Sequence, residues 1–235
     1  MQVLAVIPAR GGSKGILGKN TAVVAGRPLI AWTIDVALRS QTLERVVVTT
    51  DSPQIAATAR ECGAEVPFMR PSELAADHTP GIAPVLHAVD WLEQHESYQP
   101  EWVMLLQPTS PLRTVEDVDA AVAMASKKDV DAVVSVCEGH QHPYWMKQIG
   151  SDGFLTDFLR LERPYARRQD LPPVYALNGA VYLIRRQVLL EQRTLYPART
   201  MALVMPIERS LDVDTLWDLH LVRLVLEERM RHENR

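Results

Sequence analysis

Short apolar runs alternate along the chain with longer stretches in which apolar residues recur every three or four positions. The apolar runs predict β-strands at residues 3–8, 45–50, 65–68, 102–106, 132–137, 178–184 and 201–205. The periodic stretches predict helices at residues 28–39, 53–62, 82–96 and 118–126, and a last helix from about residue 215. This alternation predicts an α/β protein with a mostly parallel sheet and helices on both faces.

Three polar segments directly follow predicted strands: residues 10–20, 49–51 and 107–110. Ligands of parallel α/β sheets bind beyond the carboxyl ends of the strands. We therefore expect these segments to line a ligand site at that edge of the sheet.

The first of these segments belongs to a basic, glycine-rich loop at residues 9–20. Its glycines let backbone N–H groups approach an anion closely, and Arg10, Lys14 and Lys19 supply charge for two or three phosphates. The loop matches neither the phosphate-loop pattern nor the dinucleotide fingerprint, because its last glycine precedes neither Lys-Ser/Thr nor a helix. The alternative interpretation is a solvated basic turn.

A second candidate site is the sequence Asp212-Val213-Asp214. Alternate residues of an extended segment project to the same side, so the two carboxylates can share one cation while Val213 points to the core. Oxygen ligands beside a phosphate substrate suggest Mg²⁺, with Mn²⁺ as the alternative. The competing interpretation is that Asp214 only caps the last helix and Asp212 is solvated.

The composition fits a single domain of 235 residues, of which 47% are hydrophobic. The net charge is −4, from 25 Lys and Arg against 29 Asp and Glu, which argues against nucleic acid or an anionic membrane as the partner. No apolar run is long enough to span a bilayer and no signal-peptide pattern is visible, so we expect a cytoplasmic protein. Cys62 and Cys137 lie in apolar surroundings, which predicts buried free thiols.

The alternation of strands and helices stops at residues 140–168, where His, Pro, aromatic and Arg residues follow one another without a sustained period. A structureless loop of this length is uncommon in a compact domain, and exposed aromatic residues at this density mark an interface. We interpret the segment as a lid over the substrate or as an arm that grips a second subunit. The alternative is that it covers its own sheet.

Six segments, in order along essentially the whole chain, carry a resemblance to a known family. They read IPARGGSKG with KN, RPSELA, LLQPTSPLR, RQ, NGAVY and DVDT. Together they resemble the acylneuraminate cytidylyltransferase family, the CMP-sialic acid synthetases. The resemblance implies a Rossmann-like nucleotidyltransferase fold, CTP as donor, a sialic-type (nonulosonic) sugar acid as acceptor, dependence on Mg²⁺, and a homodimer in which residues 140–168 reach the partner subunit.

The resemblance also suggests roles for individual residues, although Arg70, Gln107 and Asn178, each taken alone, are more often structural. Arg10, Lys14 and Lys19 are the expected catalytic residues, because they would neutralise the triphosphate and the departing pyrophosphate. The expected nucleotide contacts are Gly11, Gly12, Ser13, Asn20, Arg70 and Thr79. The expected acceptor contacts are Gln107, Lys147, Arg168, Gln169 and Asn178, and Asp212 and Asp214 are the expected metal ligands.

The expected reaction is in-line attack of the acceptor's anomeric hydroxyl on the α-phosphorus of CTP, which depends on positioning and charge neutralisation. One alternative keeps the site but changes the acceptor to 3-deoxy-manno-octulosonate, a phosphonate or a sugar phosphate. A second alternative is a non-catalytic nucleotide-binding module. The paired aspartates argue against it, because a protein that only binds has less need of a metal held against phosphate.

Overall fold

The structure, a computed structural model, describes residues 1–12, 15–159 and 167–233. Within this part of the chain the strands are β1 Val3–Pro8, β2 Val23–Val24, β3 Arg27–Pro28, β4 Arg45–Thr49, β5 Trp102–Leu105, β6 Ala132–Glu138, β7 Lys147–Ile149, β8 Leu155–Asp157, β9 Tyr175–Arg185 and β10 Thr200–Val204. Six of them form the central sheet, in the order β10-β6-β9-β5-β1-β4. The pairs β2–β3 and β7–β8 form separate two-stranded sheets.

Strand β9 runs antiparallel to both neighbours in a sheet whose other strand pairs are parallel. Its Leu183 pairs with Met104 of β5 on one side and with Val133 of β6 on the other. The predicted mostly parallel sheet is confirmed. Because β9 is reversed, its first half lies at the edge where β5 and β6 end, which brings residues 178 and 179 toward the expected ligand site.

The helices cover both faces of the sheet, as predicted. In the described residues they are α1 Leu29–Arg39, α2 Pro53–Glu61, α3 Ala83–Glu96, α4 Val115–Lys127, α5 Arg186–Gln192 and α6 Leu216–Glu233. Alternate residues of β1 point to opposite faces, so Ala5 packs with α1, α2 and α4, whereas Val6 packs with α3 and α5. Helix α6 belongs to a third cluster, in which Val222 and Leu226 contact Val213.

Side-chain caps fix where two of these helices begin. Thr114 and Asp117 form a capping box at the start of α4. At the start of α6, the carboxylate of Asp218 accepts a hydrogen bond from the backbone N–H of Thr215 (2.7 Å), and the Thr215 hydroxyl accepts one from the N–H of Asp218 (3.2 Å). The interpretation of Asp214 as the helix cap is therefore wrong, since Thr215 takes that role and the Asp214 side chain is exposed.

Three local expectations differ from the structure. Residues 65–68 form no strand, only a single bridge between Glu65 and Val47. Helix α5 was not expected, because its seven residues are too few to show a period. The apolar period of the last helix predicts Leu216 on the same buried stripe as Leu219, Val222 and Leu226, but Leu216 is 70% exposed because the buried contacts begin only one turn later.

The part of residues 140–168 that the structure describes is a small hairpin with much exposed apolar surface. Strands β7 and β8 pair with Ile149 opposite Leu155. The exposed apolar side chains of its described residues are Trp145, Met146, Ile149, Phe154, Leu155, Phe158 and Leu159. Residues 160–166 lie outside the described residues.

Two expectations from composition can also be compared with the structure. Cys62 and Cys137 are free thiols, with Cys137 buried and Cys62 half-buried. None of the helices in the described residues is long and apolar enough to cross a membrane.

Candidate active site

A cavity of about 480 Å³ opens at the carboxyl edge of the sheet, beyond the ends of β1 and β5. It brings together residues from both ends of the sequence, as the order of the strands requires. Eight of the expected site residues line it: Arg10, Lys19, Asn20, Arg70, Thr79, Gln107, Asp212 and Asp214.

The basic loop is held directly against the Asp212–Asp214 segment. The ammonium of Lys19 donates a hydrogen bond to the Val213 carbonyl oxygen (2.6 Å) and lies 3.3 Å from the Asp214 carboxylate. At Gly15 a Cβ atom would lie 2.5 Å from the Asp214 carbonyl oxygen, so only glycine permits this approach. The loop therefore places a cation next to the two aspartates.

Arg10 and Asn20 form the part of the wall nearest β1. The guanidinium of Arg10 pairs with the carboxylate of Asp77 at 2.8 Å, and the Asn20 amide nitrogen donates to the Arg10 carbonyl oxygen at 3.0 Å. The Asn20 carboxamide oxygen is buried and has no hydrogen-bond partner in the described residues. An acceptor left unpaired at a cavity wall can receive a donor from a ligand.

Arg70 is buried beside the same wall and held by Asp51. Its Nη2 lies 3.2 Å from Asp51 Oδ1, which also accepts the backbone N–H of Gly11 at 3.0 Å. Burial lowers the pKa of Arg70, with the hydrogen bond to Asp51 opposing that shift. Asp51 thus connects the basic loop to the buried guanidinium.

Asp212 and Asp214 offer carboxylate oxygens to the cavity from two different environments. Asp212 is half-buried, and burial raises its pKa, opposed by a hydrogen bond from Thr109 and by the charge of Lys19. Its Oδ1 is buried and has no hydrogen-bond partner among the described residues, whereas the Asp214 side chain is 76% exposed. A hard divalent cation with phosphate oxygens would fit this pair. The described residues contain no cluster of three or more such groups, so the protein would supply only part of the coordination shell.

Gln107 and Asn178 have different positions relative to the cavity. Gln107 lines it, whereas Asn178 is buried behind it. The Asn178 carboxamide oxygen accepts from the Ser135 hydroxyl (2.6 Å) and its nitrogen donates to the Ser210 hydroxyl (2.9 Å). Asn178 therefore has internal partners at both ends of its amide.

The remaining expected site residues lie elsewhere or outside the described residues. Lys147 is on the exposed hairpin, paired with Asp157, and Gln169 lines a separate cavity near His142. Gly11 and Gly12 do not line the cavity, and the backbone N–H of Gly11 donates to Asp51. Ser13 and Lys14 fall outside the described residues, as does the side chain of Arg168.

Two residues that shape the site were not identified from the sequence: Asp77 and Arg113. Asp51 and Thr109 belong to the polar segments 49–51 and 107–110, which were expected to line the site, but neither was assigned a role of its own. Asp77 and Arg113 have partners distant in sequence: Asp77 forms an ion pair with Arg10, and Arg113 donates a hydrogen bond to the Thr33 hydroxyl. No local pattern reports such contacts.

The fold and this cavity define a nucleotidyltransferase-fold protein. A solved structure titled CMP:2-keto-3-deoxy-manno-octonic acid synthetase, complexed with CTP, superposes with a TM-score of 0.72 over 97% of this chain and 100% of that one, at 20% identity. The sequence model of the cytidylyltransferase family matches residues 4–228, and the chain belongs to that family. It is therefore a cytidylyltransferase.

Two curated relatives are similar over nearly all of this chain. The CMP-N,N'-diacetyllegionaminic acid synthase of Legionella pneumophila is 40% identical over 97% of both chains. The N-acylneuraminate cytidylyltransferase of Streptococcus agalactiae (serotype V) is 37% identical over 94% of this chain. Of that second protein the chain spans only about half, 53% of its length.

Proposed function

We propose that this cytidylyltransferase transfers CMP from CTP to the anomeric hydroxyl of a sialic-type 2-keto sugar acid and releases pyrophosphate. The observation that carries the proposal is the cavity that joins Arg10 and Lys19 to the carboxylates of Asp212 and Asp214. Phosphoryl transfer requires this combination of cations and metal-binding oxygens around a triphosphate. The 40% identity to a legionaminic acid synthase over 97% of both chains supports the choice of acceptor class.

In the proposed reaction the acceptor hydroxyl oxygen bonds to the α-phosphorus, the bond from that phosphorus to the pyrophosphate oxygen breaks, and the hydroxyl proton is released. Arg10 and Lys19 neutralise the charge that moves onto pyrophosphate, and Lys14 and Ser13 extend the same loop. Asp212 and Asp214 hold Mg²⁺ or Mn²⁺, which, when bound, supplies positive charge to the phosphate oxygens.

The nucleoside is bound, in this proposal, at the Asn20 and Arg70 side of the cavity. The unpaired Asn20 carboxamide oxygen accepts a hydrogen bond from a base amino group or a ribose hydroxyl, and the buried Arg70 donates a hydrogen bond from the same side. Thr79 completes this wall, and Gln107 contacts the sugar acid. Because the reaction consumes CTP, we propose that it takes place in the cytoplasm.

We also propose that the protein is a homodimer in which the β7–β8 hairpin contacts the second subunit. The hairpin exposes Ile149, Phe154 and Leu155, which are 68–75% accessible, and a contiguous apolar surface of this kind favours association. Lys147, Arg168 and Gln169 would then approach the sugar-acid carboxylate in the partner's cavity, where an arginine offers a bidentate fork. Sedimentation equilibrium tests this, since a fully active monomer at micromolar concentration would contradict it.

Pyrophosphate release is the assay that tests the reaction. CTP with N-acetylneuraminic or N,N'-diacetyllegionaminic acid should release pyrophosphate, and ATP, GTP and UTP should not replace CTP. Turnover only with 3-deoxy-manno-octulosonate, a phosphonate or a sugar phosphate would move the protein to another acceptor class. CTP binding without turnover on any acceptor would identify a non-catalytic module instead.

A further inference from the structure

Arg113 is a buried cation without a carboxylate at ion-pair distance in the described residues. It is 2% exposed, and its Nη1 donates to the Thr33 hydroxyl at 3.1 Å. Its Nη2 donates to the backbone carbonyl oxygen of Gln107, and its Nε has no partner among the described residues. The carboxylate of Asp117, an acidic residue in the following helix turn, pairs with Arg209 at 2.7 Å instead.

The stability of the fold does not explain why a cation is buried in this position. Burial lowers the pKa of Arg113 to about 9, opposed by the charges of Asp117 and Asp212, so the group stays charged at neutral pH at a cost in desolvation. Replacing buried charged groups by apolar residues of similar volume is often neutral or stabilising. The hydrogen bond to the Gln107 carbonyl oxygen is the contact that connects this cation to the cavity.

Gln107 is confined from a second direction by Gly179 in β9. Gly179 has a φ of +72°, and a Cβ atom there would lie 2.6 Å from the Gln107 side-chain oxygen Oε1. The neighbouring Ser110 hydroxyl donates to the Asn178 carbonyl oxygen at 3.3 Å, which fastens the two segments together. The Gln107 carboxamide therefore occupies the space that a side chain at position 179 would fill.

We propose that Arg113 and Gly179 are positioning residues that fix Gln107 for the acceptor: Arg113 holds its main chain, and Gly179 leaves room for its side chain. This rests on the proposed function in one respect, the role of Gln107 as an acceptor contact. Neither residue lines the cavity. In this proposal both act on the acceptor through Gln107, so their effect should appear in acceptor binding and leave CTP binding unchanged.

The test is steady-state kinetics of Arg113→Met and Gly179→Ala with each substrate varied separately. Both variants should raise the KM for the sugar acid about tenfold, the loss of one well-placed polar contact, with the KM for CTP within twofold. Arg113→Lys should recover part of the loss. Gly179→Ala leaves the buried charge in place, so it tests the proposal even if Arg113→Met folds poorly.

Arg229→Met is the matched control, because Arg229 also donates to a main-chain carbonyl of the same segment, that of Leu112 at 2.9 Å. Its acceptor KM should stay within twofold of the wild type. An equal rise in Arg229→Met would show a general loosening of the segment and overturn the proposal.

A double-mutant cycle with Gln107→Ala separates this inference from the proposed function. If Arg113 acts through Gln107, Arg113→Met should add no further change in acceptor KM in the Gln107→Ala background. Additive effects would overturn the positioning roles and leave the proposed reaction intact. The same conclusion would follow if Gln107→Ala raised the acceptor KM and Arg113→Met did not. An unchanged acceptor KM in Gln107→Ala would overturn both the acceptor contact and this inference, whereas failure of the proposed function would show as no wild-type turnover with any sugar acid.

Discussion

Arg10 and Asp77 form an ion pair of 2.8 Å in the wall of the cavity at the carboxyl edge of the sheet, although they lie 67 positions apart in the sequence. Both side chains are partly exposed, so the pair itself contributes little to stability. Its effect is on binding, because a triphosphate that uses the Arg10 guanidinium has to compete with the Asp77 carboxylate. Asp77 also adds a negative charge beside the negatively charged substrate.

Asp77→Asn should therefore lower the KM for CTP, by about two- to fivefold, since exposed ion pairs are worth about 0.2–1 kcal/mol. Initial rates at varied CTP and saturating acceptor measure the change. The difference should shrink at high ionic strength, where screening already weakens the pair. A raised KM would mean that Asp77 helps to hold the nucleotide.

Arg10→Ala should reduce kcat/KM for CTP by about 100-fold or more, the range for removing one electrostatic stabiliser from an active site. The guanidinium lines the cavity at the end of β1, where it can meet a phosphate. Arg39→Ala is a suitable control, since Arg39 is exposed on α1 and pairs only weakly with Asp35 (3.4 Å). Unchanged CTP kinetics in Arg10→Ala would reassign Arg10 to the solvated surface.

Asp212→Asn and Asp214→Ala should each abolish measurable turnover while the protein remains folded. The reason is the loss of a carboxylate oxygen for the metal, and far-ultraviolet circular dichroism establishes that the fold is intact. Asp129→Asn is the matched control, because it removes an exposed carboxylate that pairs with Arg199 far from the cavity. Normal rates in either cavity variant with Mg²⁺ present would refute the metal assignment.

Thr215→Ala should lower the free energy of unfolding by about 1 kcal/mol, the usual worth of a helix N-cap. Asp214→Ala should change it by less than about 0.5 kcal/mol, as expected for an exposed side chain that does not cap the helix. Urea denaturation of both variants measures these free energies and shows which of the two residues caps the helix. The opposite order of stabilities would show that Asp214 caps the helix.

Stability should fall as the pH drops below about 6.5, in part because of His87. Burial lowers the pKa of His87, the charge of Arg70 acts in the same direction, and Asp90 and Glu73 oppose the shift. The unfolded chain therefore binds the proton more readily than the folded protein, and protonation favours unfolding. His87→Gln should lose less unfolding free energy than the wild type between pH 7.5 and 5.5, and parallel curves would exclude this contribution.

The central sheet could be predicted because its strands are short apolar runs separated by helices with clear start signals. The apolar run of β9 predicted a strand but not its reversed direction. An apolar run does not indicate whether the strand will pair parallel or antiparallel with its neighbours. Residues 65–68 were apolar enough for a strand, yet after Glu65 they make no further bridge to β4. Pairing is decided by neighbours in space, and the local sequence does not report them.

The candidate site could be predicted where its residues belong to local motifs. Arg10, Lys19, Asp212 and Asp214 follow strands or alternate along an extended segment, and they line one cavity. Asp77 and Arg113 could not be found in this way, because Arg10, the partner of Asp77, and Thr33, a partner of Arg113, lie 67 and 80 positions away along the chain. Asp214 was assigned a possible cap because aspartate favours that position, but the carboxylate of Asp218 makes the neighbouring Thr215 the better cap.

The hydrogen bond from Lys19 to the Val213 carbonyl oxygen joins residues 194 positions apart. During synthesis the N-terminal part of a chain folds first, so β1 and its basic loop emerge long before the segment that completes the cavity. A nascent chain therefore has no complete cavity until residues 212–214 have left the ribosome. CTP and a divalent cation, which stabilise only the state that binds them, would protect the finished protein from proteolysis without stabilising its unfinished precursors.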